Sequence, residues 1–106
     1  MSIEALVSEI RRTLIIIDRG YALAQTTAQK MAIRKAREEL TRALLQALEK
    51  KPNATSMRIE QLTRALKQKN DELEAEVKKR DIVRFIQLLT AAVQSALEAL
   101  STLTKP

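Results

Sequence analysis

Four carboxylates stand close together at Asp71, Glu72, Glu74 and Glu76, and three cations follow at Lys78, Lys79 and Arg80. Carboxylates so spaced can share a proton or hold a hard cation. The rest of the chain completes neither chemistry. The 106 residues include no His and no Cys. That excludes the commonest general base, the commonest nitrogen ligand and every thiolate. Ser–His and Cys–His nucleophile pairs are excluded with them. A phosphate-cradling loop needs several glycines, and the chain has only Gly20. Oxygen ligands alone can bind magnesium or calcium, but the loop that usually shapes such a site is missing. The carboxylates read as a solvated helix face, and no catalytic residue, cofactor or metal site is assigned.

Charge is the remaining functional signal. The net charge is +6, and residues 25–80 hold all of it, with 14 basic against 8 acidic side chains. Arg34, Lys35, Arg37, Lys67, Lys69, Lys78, Lys79 and Arg80 are the candidate anion contacts. On phosphates they would give salt-sensitive binding with little sequence preference. The same segments also carry Glu38, Glu39, Glu72, Glu74 and Glu76, and no aromatic is placed to stack on a base. A basic surface offered to a protein partner is therefore the preferred reading, with nucleic acid as the alternative.

These residues must be positioned by helices. The chain is rich in Leu, Ala, Glu, Lys, Arg and Gln, all good helix formers. With one Gly and two Pro it lacks the turn residues a sheet requires. One unambiguous break, at residues 50–55, contains Pro52, which forces Lys51 out of helical geometry. Asn53, Thr55 or Ser56 can cap the helix that follows. The expected fold is all-α: one domain over 1–106, with helical halves at about 2–50 and 54–103. Folded at the break, the halves form an antiparallel hairpin whose facing residues have numbers summing to about 105. Leu48 then meets Met57, Leu44 meets Leu62, Leu40 meets Leu66, Ala28 meets Val77 and Tyr21 meets Phe85.

Two further breaks would convert that hairpin into a compact four-helix up-and-down bundle. At the first, Gly20 is a natural helix terminator and Thr26 with Gln29 a capping box. The stripe Leu14, Ile17, Tyr21, Ala24, Ala28, Met31 runs through Gly20 without a skip, however, and favours an uninterrupted helix. Gly20, Ala24, Ala28, Ala32 and Ala36 then read as a thin seam against the returning helix, or as chance in an Ala-rich helix. At the second, the apolar stripe rotates by roughly 140° between Leu62–Val77 and Ile82–Leu103, and Asp81 is a natural N-cap. Between the breaks, Glu74–Lys78 and Glu76–Arg80 are spaced for ion pairs along one helix.

The open end of the hairpin is apolar over too wide a face for two helices to bury. Ile16, Leu23, Phe85, Leu88, Leu89 and Ala92 are the candidate self-association residues, and a two-fold dimer is the expected solution. Residues 10–18 and 84–89 resemble helices of the all-helical chorismate mutases. That family needs basic or polar site residues at places that here hold Ala28, Glu39, Val93 and Leu97, so the chain is not assigned to it. No leader pattern opens the sequence, and the longest uncharged apolar stretch falls short of the ~20 residues a membrane span needs. A soluble, cytoplasmic, non-enzymatic interaction protein is the expectation.

Overall fold

A computed structural model describes residues 3–50 and 56–104. The expected turn residues 51–55 lie outside that description, as does Ser2, a natural cap for the first helix. Four helices follow in order: α1 (Ile3–Tyr21), α2 (Thr27–Glu49), α3 (Met57–Lys79) and α4 (Ile82–Leu103). No strand occurs among the described residues, and the fold is an all-α four-helix bundle.

Each described boundary has a local cause. α1 ends in a turn closed by Leu23 N–H donating to Gly20 C=O at 3.0 Å and Ala24 N–H to Tyr21 C=O at 3.1 Å. The expected uninterrupted helix through Gly20 is therefore not formed. The capping box wins instead: Thr26 Oγ1 accepts from Gln29 N–H at 3.1 Å, and Gln29 Oε1 accepts from Thr26 N–H at 3.2 Å. Two satisfied orphan donors and a chain reversal that buries more apolar surface outweigh one unbroken stripe. Ser56 caps α3, with its Oγ 3.3 Å from Ile59 N–H.

The second break also forms, through a Schellman motif. Arg80 N–H donates to Val77 C=O and Asp81 N–H to Glu76 C=O, both at 3.1 Å. Arg80 sits in the left-handed region at φ 59°, where glycine is usual. Asp81 then accepts from Arg84 N–H at 3.0 Å and opens α4. This break accounts for the rotated apolar stripe.

Consecutive helices form two antiparallel hairpins. Arg37 on α2 reaches Asp18 on α1 at 2.8 Å, and Arg58 on α3 pairs with Glu98 on α4. Across the hairpins the neighbours are parallel. Ser8 of α1 shares a groove with Thr63 and Lys67 of α3, and Arg12, one turn later, reaches Asp71 and Glu74. Residues 32–39 of α2 likewise lie beside 90–97 of α4, and 43–50 beside 97–104. α1 and α4 approach across the short diagonal, while α2 and α3 occupy the long one and do not meet. The pairings Leu48–Met57, Leu44–Leu62, Leu40–Leu66 and Ala28–Val77 are therefore absent. Matching apolar residues about one turn cannot tell an adjacent partner from a diagonal one.

The core is aliphatic apart from Phe85. Leu6, Ile10, Ile17, Leu40, Leu66, Leu73 and Phe85 are fully buried. Each such side chain contributes about 1.5–3 kcal/mol relative to exposure. Gly20 lets the Phe85 ring of α4 pack directly against the backbone of α1. A Cβ there would sit inside contact distance of Phe85 Cε1 and Cζ. Of the expected small-residue seam, Gly20 is buried and Ala24 and Ala36 half-buried, but Ala28 and Ala32 are exposed.

Candidate functional site

The interface between α1 and α3 carries the only buried polar network among the described residues. Asn70 and Thr13 are fully buried in an otherwise apolar layer. Thr13 Oγ1 lies 2.7 Å from Asn70 Oδ1 and 2.9 Å from Glu9 C=O. Asn70 Nδ2 donates to Glu9 C=O at 3.0 Å and to Glu9 Oε1 at 3.1 Å. The amide therefore keeps its hydrogen bonds on leaving water, the condition under which a buried polar group is tolerated. The gap that Lys69 and Asn70 leave in the apolar stripe is thus a core position filled by a satisfied amide. Such a residue fixes the register of two helices, because any slip strands its donors.

Arg12 extends the network to the surface. Its Nη2 donates to Asp71 Oδ1 at 2.6 Å, its Nε to Glu74 Oε1 at 3.0 Å and its Nη1 to Glu9 Oε1 at 3.3 Å. The bond to Glu74 is the main cause that holds the guanidinium above its ordinary pKa, with burial opposing it and Asp71 and Glu9 adding to it. The same bond pulls Glu74 below the ordinary carboxylate value. The ion pairs expected along α3 are consequently replaced. Glu74 turns to Arg12 rather than Lys78, and Glu76 pairs with Lys79 at 3.6 Å rather than with Arg80. A bidentate-capable guanidinium on a neighbouring helix outcompetes a lysine on the same one. Two of the four carboxylates singled out from the sequence, Asp71 and Glu74, are thus structural.

The sequence-derived anion contacts divide between two edges. Arg34, Lys35 and Arg37 lie on α2, and Lys67, Lys69, Lys78 and Lys79 on α3, with Arg80 at its end. These helices occupy the long diagonal, so the eight residues form no single patch. Several are already engaged. Arg34 stands over the Tyr21 ring at 5.4 Å, Arg37 holds Asp18 and Lys79 holds Glu76. The residues expected to mediate self-association pack within the single chain. Ile16, Phe85, Leu89 and Ala92 are buried inside the single chain, and Leu23 and Leu88 are half-buried against the same core. α4 is long and apolar enough by composition to cross a membrane, and here it lays its apolar face into the bundle.

One surface feature was not singled out from the sequence. A half-open groove of about 670 Å³ runs along the outer side of α1. One bank is the row Ile3, Val7, Arg11, Ile15, Arg19, at steps of four residues. The other is the adjacent row Glu4, Ser8, Arg12, Ile16. Leu48 of α2 and Glu74 of α3 complete the lining. Ile15 is 56% exposed and Leu48 38%, and of the six large hydrophobics exposed among the described residues these two line the groove. Arg11 and Arg19 are exposed and make no ion pair among the described residues. The signal was present in the sequence as Ile15, an isoleucine off the main stripe of α1. Comparisons with protein families, with curated proteins and with solved structures found no match.

Proposed function

We propose that this chain is a non-enzymatic helical interaction protein that offers a basic, partly apolar surface to a protein partner. The observation that carries this reading is the contrast between inside and outside. The polar groups of the α1–α3 interface are matched to one another and hold the scaffold, as the Asn70 and Arg12 networks illustrate. Outside, Arg11, Lys35, Lys67, Lys78 and Arg80 make no ion pair among the described residues. Uncompensated cations on a rigid bundle steer and select an acidic partner.

A protein partner is favoured over nucleic acid because the basic residues are dispersed over two opposite edges and interleaved with carboxylates. Phosphate binding works best along a continuous stripe. Self-association through Ile16, Phe85, Leu89 and Ala92 is not part of this reading, since those side chains already fill the core. Affinity capture from the source organism, with and without nuclease, tests it. Retention of the same protein partner after nuclease is expected. Loss of all partners on nuclease, with salt-dependent binding of purified protein to DNA or RNA, would overturn it.

A further inference from the structure

We infer that the groove on α1 is a docking site for an acidic amphipathic helix of the partner; this rests on the interaction reading above. The shape of the groove points to a helix. Its banks are two successive rows of residues four apart, which is the surface relief that receives a ridge of another helix. Ridge-into-groove docking of this class crosses at about −50°. From Ile3 to Arg19 the groove is about 24 Å long, by the helical rise, or roughly four and a half turns. Ser8 keeps one bank low, and the buried Ile16 gives the floor an apolar surface.

The charges determine which helix fits. Arg11 stands at the middle of the groove with no ion pair among the described residues, and Arg19, two turns further on, makes none either, although Glu74 lies within electrostatic reach of it. Val7 and Ile15 flank Arg11 one turn to either side. The complementary ridge therefore carries a carboxylate at its centre, apolar residues four positions before and after it, and a second carboxylate eight positions from the first. Arg12 does not compete for these anions, because Glu74, Asp71 and Glu9 already hold it. A second copy of this chain fits less well. A two-fold contact centred on the groove would bring Arg11 against its own mate, and like charges so placed are strongly unfavourable.

The test uses two stapled helical peptides about five turns long. The first carries Leu, Glu, Leu, Glu at successive four-residue steps; the second carries Lys in place of Glu. Binding is followed by fluorescence anisotropy and mapped by amide chemical shifts on the full chain. The acidic peptide is expected to bind saturably, at least about tenfold more tightly than the basic one, with shifts centred on Val7, Ser8, Arg11 and Ile15. Arg11→Glu with Arg19→Glu should reverse that preference, and Ile15→Glu should abolish binding of either peptide. All three positions are exposed, so the fold is retained. Equal binding of both peptides, no saturation at about millimolar concentration, shifts on another face, or an Ile15-dependent dimer would overturn the inference. A nuclease-resistant protein partner captured despite such a failure would leave the broader interaction reading intact.

Discussion

Gly20→Ala is the substitution for which local and tertiary physics disagree in sign. Judged by helix propensity, alanine near the end of α1 should help by up to about 1 kcal/mol. The structure gives the opposite answer. The new methyl would stand inside contact distance of Phe85 Cε1 and Cζ, and Phe85 is fully buried, so its ring has nowhere to turn. Relief requires α1 and α4 to move apart along their diagonal contact. Overpacking of this kind costs about 1–3 kcal/mol, and a clash with a confined ring belongs at the upper end. Set against the propensity gain, the net loss is about 2 kcal/mol. For a domain of this size that lowers Tm by roughly 8–16 °C. Urea denaturation followed by circular dichroism measures it, with the m-value checking that unfolding stays two-state. Phe85→Leu added to Gly20→Ala should be less destabilising than the sum of the two single changes, because the clash is shared. A Gly20→Ala protein as stable as the parent, or more so, would refute the close approach of α1 and α4.

Other expectations follow from the same geometry. Asn70→Ala removes both donors to Glu9 and leaves the Thr13 hydroxyl with the Glu9 carbonyl alone, and should cost about 1–3 kcal/mol in denaturant titration. Arg80→Gly relieves the left-handed backbone at the end of α3 and should raise stability by up to about 1 kcal/mol, seen as a higher Tm. Glu74 contributes stability above its unfolded pKa, because Arg12 depresses its folded value, and that contribution disappears as pH falls through the folded value. The parent should therefore lose stability in acid below the ordinary carboxylate range, and Glu74→Gln should flatten that loss while lowering stability near neutrality.

The helices themselves were legible because their signals are local. Thr26 with Gln29 and Asp81 are candidate helix starts, Ser56 is one of three candidate caps, and the rotation of the apolar stripe is compatible with a break near residues 79–81. The preference for a continuous helix through Gly20 failed because periodicity cannot weigh a stripe against the surface that a reversal buries. The order of helices around the bundle was not legible. Leu44 and Leu62 match as well on a diagonal as they do face to face. The role of Asn70 was not legible because its partners, Glu9 and Thr13, are about 60 residues away in sequence. Glu74 looked paired with Lys78 because the competing arginine lies on another helix. The α1 groove escaped notice for the converse reason. Its residues are consecutive rows of one helix, but only the placement of α2 and α3 shows that the face is left uncovered.

The functional reading depends on one condition: that a single chain covers its own wide apolar faces, leaving the surface of α1 free for a partner. Sedimentation equilibrium of the purified protein, from about micromolar to tens of micromolar, tests that condition directly. The account predicts one species at the 12.0 kDa of the single chain throughout. A stable species of twice that mass, dissociating only as the helices melt, would contradict it and return Ile16, Phe85, Leu89 and Ala92 to an interface between copies.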